Sequence, residues 1–359
     1  MWPDRRLLDL IGIETPIVQA PMANVPYADL VIGACEGGAL GSLACAMLSP
    51  EKAREQMLVI RQRTSAPVNM NFFCHEPAAP DADREAAWRM RLAPYYRDLG
   101  LDLEATVPAA NRAPFDAAMC AVVEEVKPEV VSFHFGLPQP ALLERVKAVG
   151  STVMACATTV QEAVWLEQHG ADVVIAQGSE AGGHRGMFLT QNLATQAGTF
   201  ALVPQVVDAV GVPVVAAGGI ADGRGIAAAL ALGAAGAVVG TAYLSCPEAR
   251  LSPLYLEALA KADDQATVIT NVITGRPARG IANRVIREVG PIAPEAPAFP
   301  HAVTALIPLR AAAEARGRDD FTPLWAGQAA ALSRIMPAAD LTRHLAAAAA
   351  ERLTQLAGK

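Results

Sequence analysis

The sequence predicts an α/β protein built as a TIM (β/α)8 barrel with a smaller inserted second domain. Eight short apolar, β-branched runs recur along the 359 residues, with helical segments between them. The runs are mostly apolar throughout rather than alternating, which is typical of parallel strands buried on both faces. Alternating strands and helices give a parallel sheet, and eight units favour a closed barrel over a doubly wound sheet of about six strands.

The eight predicted strands occupy the first two thirds of the chain. A weak internal repeat supports them, because Gly170–Val174 resembles Gly233–Val239, with a glycine ending a helix just before a strand in both. The predicted strands are Pro16–Ala20, Ala39–Leu43, Val68–Phe73, Val130–Phe135, Thr152–Ala157, Asp172–Gln177, Val212–Ala217 and Ala237–Leu244.

Two stretches depart from this repeat. His75–Pro108 is long and rich in Pro, Arg, Asp and Tyr, and we interpret it as an enlarged connection after the third strand. Pro247–Phe321 has a pattern of its own, and Ala338–Leu356 favours a final barrel helix. We therefore predict a barrel of residues 1–246 and 322–359, with residues 247–321 as a small inserted lid or substrate domain.

Composition excludes several classes of protein. With 52% hydrophobic and 18% charged residues, the chain can bury a large core and is not disordered. A net charge of −7 without a basic run argues against nucleic acid as a partner. Met1–Leu10 lacks the apolar region of a signal peptide, and no stretch resembles a membrane span. Six cysteines without a CxxC pair indicate free thiols in a reducing cytoplasm, and no metal-binding cluster is visible.

Glycines end the seventh and eighth predicted strands. Gly218 and Gly219 follow one strand, and Gly240 and Thr241 lie in the other. In barrels this is the usual phosphate-binding place, since glycine lets backbone N–H groups approach phosphate oxygens. A helix starting near Asp222 would add its positive end. The alternative is that the glycines only make tight turns. A GxGxxA match at Gly223–Ala228 lies too far past its strand for a dinucleotide site.

The loop Gln177–Gly186 follows the sixth predicted strand and contains four glycines, including Gly182 and Gly183. Flexible polar loops over a barrel mouth often carry function. His184 and Arg185 are therefore candidates for contact with an anionic group, and His184 also for proton donation. A plain surface loop is the alternative.

His134 lies near the end of the fourth predicted strand, just before Gly136 and Pro138. A histidine at the barrel mouth suits general base work, because its unperturbed pKa is near neutrality. A structural core histidine is the alternative. The first and third strands end in Gln19–Met22 and Asn69–Phe73, whose amides and Met22 suit a planar heterocycle, although ordinary strand termination explains them as well.

Taken together, these segments resemble the nitronate monooxygenase family, in its class I branch. Ser132–Gly136 is the most specific of them, while the Ala-Gly-Gly-Ile and Gly-Thr segments are shared by many FMN barrels. The resemblance spans about residues 16–330. The similar segments are Gln19–Met22, Val131–Gly136, Gln177–Gly186, Ala216–Ile220, Gly240–Thr241, Thr274–Gly280 and Leu324–Gln328.

The resemblance implies bound FMN and oxidation of alkyl nitronates by O2 to a carbonyl compound and nitrite, without a reduced nicotinamide. It implies that His134 is the catalytic base and that His184 contacts substrate. Propionate 3-nitronate is a detoxification substrate by resemblance only. The residues expected at FMN are Met22, Asn69, Gln177, Gly182, Gly183, Gly218, Gly219, Gly240, Thr241 and Gln328.

Other functions stay open at this point. An FMN-dependent enoyl-acyl-carrier-protein reductase would use His184 and NAD(P)H, and an NADH:quinone reductase belongs to the same superfamily. A non-enzymatic flavin-binding barrel is the alternative from another class. Arg276 and Arg279 are equally suited to contact ligand, phosphate or acidic residues of the second domain, and the oligomeric state is undetermined.

Overall fold

A computed structural model describes residues 2–23, 27–105, 107 and 112–358. Eight parallel strands form the main sheet in the order β1-β9-β8-β6-β5-β4-β3-β2, and β10, β11 and β7 form a small antiparallel sheet. The strands are β1 (Ile17–Gln19), β2 (Gly41–Ala44), β3 (Val68–Phe73), β4 (Val130–His134), β5 (Thr152–Ala157), β6 (Val173–Gln177), β7 (Gly183–His184), β8 (Val214–Ala217), β9 (Gly236–Val239), β10 (Thr267–Thr270) and β11 (Ala278–Ile281).

The eight-stranded sheet closes on itself. Val18 of β1 forms a parallel bridge to Leu40, one residue before β2. The Leu40 N–H donates to the Ile17 carbonyl at 3.0 Å, and the Gln19 N–H donates to the Leu40 carbonyl at 2.9 Å. Because β1 also pairs with β9 at Ile17 and Ala237, the predicted (β/α)8 barrel is confirmed.

Helices surround the barrel, and their ends follow from local sequence. Ser49 caps α3 by accepting from the Lys52 N–H, and Pro50 suits the first turn, where no N–H partner is needed. Thr159 caps α7 in the same way. The helices are α1 (Arg6–Ile11), α2 (Tyr27–Glu36), α3 (Pro50–Arg63), α4 (Ala82–Leu99), α5 (Ala117–Val126), α6 (Pro140–Ala148), α7 (Val160–Gln168), α8 (Thr199–Ala209), α9 (Gly223–Ala231), α10 (Thr241–Leu244), α11 (Pro253–Lys261), α12 (Arg284–Val289), α13 (Ile307–Glu314) and α14 (Ala338–Leu356).

Two predicted strands end earlier than their apolar runs. The prediction of a strand over Ala237–Leu244 was wrong in its second half, since β9 ends at Val239 and Thr241–Leu244 is a helical turn. Short apolar runs do not distinguish strand from buried helix. The fourth strand ends at His134, because Phe135 has a φ of 73° and turns the chain out of the sheet.

The segment after β9 forms a core of its own together with α4. The Trp88 indole donates to the Ala302 carbonyl at 3.2 Å, and the Tyr96 hydroxyl donates to the Ala305 carbonyl at 2.7 Å. Trp88 and Tyr96 are buried against apolar residues between Val272 and Phe321. The long connection after β3 thus supplies a helix to this second unit. The domain boundaries given above stay a prediction.

Among the helices of the described ranges, none is both long enough and apolar enough to cross a membrane.

Candidate active site

A cavity of about 360 Å³ lies at the carboxyl ends of the barrel strands. Side chains and loops after β1, β3, β4, β6, β8 and β9 line it, so residues far apart in sequence meet there. The predicted site residues that line it are Met22, Asn69, His134, Gln177, Gly182, Gly183, His184, Gly218, Gly219, Gly240 and Thr241.

Gln328 is placed differently from the other predicted cofactor contacts. Its side chain is exposed, and its neighbours Gly327 and Ala329 line the cavity instead. The Gln328 N–H donates to the Glu180 carbonyl at 3.0 Å. This hydrogen bond joins the late loop to the loop after β6.

One side of the cavity carries buried amides from the first strands. The Gln19 carboxamide oxygen accepts from the Ser42 N–H at 2.8 Å, and the Asn69 side-chain amide donates to the Ser42 hydroxyl at 3.0 Å. The other polar atom of Asn69, Oδ1, is buried without a hydrogen-bond partner in the part of the chain that the structure describes. A buried acceptor left unpaired is costly, so this atom fits an N–H donor of a bound ligand.

The opposite side is built from glycine-rich loops. Gly218 has a φ of 116°, and a Cβ there would lie 2.8 Å from the Thr199 hydroxyl oxygen. The Thr241 hydroxyl oxygen accepts from the Gly327 N–H at 2.9 Å. The close approach of bare backbone suits an anionic group.

The positive end of α9 is not available to that group. The helix does begin beside Asp222, as expected, but the Asp222 carboxylate accepts from the Arg224 and Gly225 N–H groups. The same carboxylate pairs with the Arg224 guanidinium. The loops after β8 and β9, rather than the helix end, are left as the anion-binding surface.

The His134 ring has one nitrogen fixed. Its Nε2 lies 3.0 Å from the His184 carbonyl oxygen. A carbonyl oxygen only accepts, so Nε2 carries the hydrogen and Nδ1 keeps a lone pair. Burial is the main cause that lowers the pKa of His134 to about 3; the hydrogen bond to the carbonyl opposes it, and the positive charges of Arg276 and Arg185 act in the same direction as burial. His134 is therefore a neutral imidazole near neutral pH.

His184 lies close to the ends of the third and fourth strands, with its ring 6.1 Å from that of Phe73. Its Nε2 is 2.9 Å from the Thr274 hydroxyl oxygen, and its ring is 5.4 Å from those of Phe299 and Trp325. Burial lowers the pKa of His184 well below its usual value, and neighbouring Arg112 contributes. His184 is also neutral, so it offers hydrogen bonds rather than charge.

His75 was missed by the sequence analysis. It is buried, and its ring lies 4.9 Å from Phe299 and 6.3 Å from Phe73. Burial is the main cause that lowers the pKa of His75 to about 4, and the positive charge of Arg276 acts in the same direction. The only signal in the sequence was its position two residues after β3, which is too weak to identify it.

Other residues line the cavity beside the predicted ones. Asn71 on β3 belongs to the segment whose amides the sequence singled out, and Ser132 on β4 shares a face with His134 by alternation; the Asn71 amide donates to the Ser132 hydroxyl at 2.9 Å. The others have no local signal in the sequence. They include Arg112, Cys156, Tyr255, Arg310 and Trp325.

The sequence did not decide what Arg276 and Arg279 contact, and the structure gives them different partners. Arg279 is buried and donates to the Ser179 carbonyl at 2.8 Å and to Thr267, so it joins the loop after β6 to β10. The Arg276 guanidinium lies 3.8 Å above the Phe135 ring and donates to the Met187 carbonyl. Among the described residues, neither pairs with a carboxylate within 4 Å.

The expectation that Arg185 contacts a ligand anion was wrong, because its side chain is fully buried and donates to backbone carbonyls.

Comparison with known proteins places this chain in a family. The family model described as nitronate monooxygenase matches residues 4–348. The chain is 43% identical to the nitronate monooxygenase of Paraburkholderia phytofirmans over 98% of this chain and 97% of that protein. It is 42% identical to that of Pseudomonas aeruginosa over 95% and 97%.

The chain belongs to the nitronate monooxygenase family. It is accordingly an oxidoreductase. Among solved structures, the nitroalkane oxidase of Streptomyces ansochromogenes superposes with a TM-score of 0.89 at 37% identity, covering 98% of this chain and 99% of that one. FabK from Thermotoga maritima superposes with a TM-score of 0.75 at 29% identity, covering 100% and 99%. The family's barrel is therefore shared with proteins that carry other names.

Proposed function

We propose that this protein is an FMN-dependent nitronate monooxygenase that oxidises alkyl nitronates with O2 to a carbonyl compound and nitrite. The observation that carries the proposal is the partly buried, neutral His134 imidazole, in the same cavity as the unpaired Asn69 oxygen and the glycine loops. Propionate 3-nitronate is the first substrate to test. Membership of the family supports the reaction class.

The cavity suits FMN at both ends. The unpaired Oδ1 of Asn69 fits a ring N–H, and Gln177, at the end of β6, lines the same cavity. The loops at Gly218 and Gly240 fit the phosphate. When bound, FMN supplies the electron-transfer chemistry with O2. The residues proposed to hold it are Met22, Asn69, Gln177, Gly182, Gly183, Gly218, Gly219, Gly240 and Thr241. Gln328 is proposed to act indirectly, because its N–H joins the late loop to the Glu180 carbonyl.

His134 is proposed to act on substrates that arrive as neutral nitroalkanes. Its Nδ1 takes the α-proton, the C–H bond breaks, and the electron pair stays on the substrate as the nitronate anion. A substrate that arrives as nitronate needs no proton removal. His184, whose ring lies 5.4 Å from that of Trp325, is proposed to contact the substrate beside His134.

The proposed lid is the inserted segment 247–321. Tyr255, from α11, and Arg310, from α13, reach the cavity wall from this segment. The Tyr255 hydroxyl donates to the Trp325 carbonyl at 2.7 Å, which fastens α11 over the site. Excluding water from the cavity in this way keeps the histidines neutral.

All six cysteines are unpaired, which supports a cytoplasmic location.

Oxygen uptake tests the proposed function. The purified yellow protein is supplied with propionate 3-nitronate and no NAD(P)H, and nitrite is measured alongside O2. Rapid uptake with nitrite release supports nitronate oxidation. An FMN-loaded protein that consumes no O2 with several nitronates, yet oxidises NAD(P)H when an enoyl thioester or a quinone is present, contradicts the proposal and favours a reductase.

A further inference from the structure

Two opposite charges are fully buried behind the cavity, and the proposed reaction uses neither. Arg185 and Glu162 are both 0% exposed, and no direct ion pair joins them. Two neutral side chains connect them instead. The Arg185 Nε–H donates to the Gln196 carboxamide oxygen at 3.0 Å, the Gln196 amide donates to the Thr158 hydroxyl at 3.0 Å, and that hydroxyl donates to the Glu162 carboxylate at 2.7 Å.

Arg185 and Glu162, at the two ends of this series of hydrogen bonds, both bind backbone groups of the loop after β6. The Arg185 guanidinium donates to the carbonyls of Gly178 and Gln177 at 2.6 and 2.7 Å. The Glu162 carboxylate accepts from the N–H groups of Phe188 and Leu189 at 2.6 and 3.1 Å. Charge-assisted bonds in a buried setting are strong, so this loop is rigid where it passes His184.

The Gln177 side chain hydrogen-bonds to the same loop, at His184 and Gly186. Its carboxamide oxygen accepts from the Gly186 N–H at 2.8 Å, and its amide donates to the His184 carbonyl at 3.1 Å. The His134 Nε2–H donates to that same carbonyl at 3.0 Å. The position of one carbonyl oxygen therefore decides which ring nitrogen of His134 carries the hydrogen, and which one holds the basic lone pair.

We propose that Arg185, linked through Gln196 and Thr158 to Glu162, is a positioning residue that fixes His134 as the Nε2–H tautomer. The inference rests on the proposed function, since it assigns Nδ1 as the atom that removes a proton from a nitroalkane. Arg185 does not line the cavity. It acts through the backbone of its own loop.

The kinetic test compares two substrates in Arg185→Lys. Lysine keeps the positive charge but loses the planar fork that reaches both carbonyls and Gln196. Turnover of a neutral nitroalkane is expected to fall by about 10- to 100-fold in kcat/KM, as part of the contribution of a general base is lost. Turnover of the corresponding nitronate is expected to fall less than about threefold, because no proton is removed. Equal losses on both substrates would overturn the assignment.

Gln196→Leu is a second variant. Gln196 is half-buried, and leucine there breaks the series of hydrogen bonds between Arg185 and Glu162 without removing a charge. Glu162→Gln has a matched control in Glu167→Gln on the same helix. Glu167 also accepts two backbone N–H groups, from Gly211 and Val212, but these precede β8 at the other end of the barrel. Gln196→Leu and Glu162→Gln are expected to change the ratio of the two activities, whereas Glu167→Gln leaves it as in the wild type.

A direct readout separates this inference from the proposed function. Ring ¹⁵N chemical shifts of His134, assigned with His134→Asn, report the tautomer whether or not the protein turns over a nitro compound. The wild type is expected to show the Nε2–H tautomer, and Arg185→Lys a mixture. An Nδ1–H tautomer in the wild type, or an unchanged spectrum in Arg185→Lys, overturns the inference. If neither substrate is oxidised by the wild type, the proposed function fails and the spectrum alone decides the positioning role.

Discussion

The charge of His134 should depend on whether an anion occupies the cavity. Burial lowers the pKa of this imidazole to about 3, Arg276 and Arg185 add positive charge nearby, and the bond to the His184 carbonyl opposes them. An anionic ligand beside the ring reverses the balance, because it stabilises the imidazolium. Nitrate is a suitable probe, since it is planar and anionic like a nitronate group and is not oxidised.

The size of the effect follows from Coulomb's law. Two unit charges about 4 Å apart interact by about 4 kcal/mol at an effective dielectric constant of about 20. At about 1.36 kcal/mol per pKa unit, this corresponds to a rise of about 3 units. The pKa of His134 is therefore expected to rise from about 3 without an anion beside the ring to about 6 with nitrate bound. The same attraction lets a weak base remove a proton, because the product is an imidazolium–nitronate pair.

Histidine NMR on the FMN-loaded protein measures this directly. Between pH 5 and 8 the His134 resonances should stay constant without nitrate and should titrate near pH 6 with saturating nitrate. His134→Asn assigns the signals. A midpoint near the ordinary histidine value without any anion would show that the cavity is well hydrated. A pKa that nitrate leaves unchanged would show that the anion binds away from His134.

Three further predictions concern stability and the cofactor. Burial lowers the pKa of His75 to about 4, so as pH falls below about 6.5 the unfolded chain takes up a proton at this residue before the folded protein does. The free energy of unfolding of the wild type should therefore fall by about 2 kcal/mol between pH 7 and pH 5 because of His75. Urea unfolding of His75→Phe should show that much less acid sensitivity, and an equal pH dependence would contradict the burial argument. Gly182→Val would place a Cβ 2.6 Å from the Gly327 nitrogen, and this overlap should lower the free energy of unfolding, measured with urea, by about 1–3 kcal/mol. An unchanged unfolding midpoint would show that the two loops separate freely. Asn69→Leu removes the proposed partner of a flavin N–H, and the FMN dissociation constant, measured by fluorescence, should rise about 3- to 10-fold; unchanged FMN affinity would place the flavin ring elsewhere.

Much of the fold could be predicted from the sequence because barrel strands are buried on both faces. Such strands are unbroken apolar runs, and the runs at Val68–Phe73 and Thr152–Ala157 match β3 and β5 at both ends. The run ending at Leu244 misled the prediction, since a strand and a buried helical turn have the same composition over a few residues. The contribution of α4 to the second unit was also not predictable, because Trp88 meets Ala302 across more than two hundred residues of chain.

The site was predicted where its residues end strands. His134, Gln177 and Gly218 each follow or finish an apolar run, and a parallel barrel brings all such positions to one rim. His75, Arg112 and Phe299 lie outside that pattern, and their effect on the histidines depends on distances that no local motif encodes. Arg185 shows the limit most clearly, since its place in a polar glycine loop indicated exposure and the folded chain buries it completely.

The sequence alone determined the barrel, the rim on which the chemistry sits and the family, because these depend on periodicity and on residues at strand ends. Only the tertiary structure decided which groups are charged and which atoms are available. Burial of the His134 ring and a single carbonyl oxygen from His184 leave a neutral imidazole with its lone pair on Nδ1. Protonation and tautomer depend on dielectric surroundings and on contacts between distant segments, and these exist only once the chain has folded.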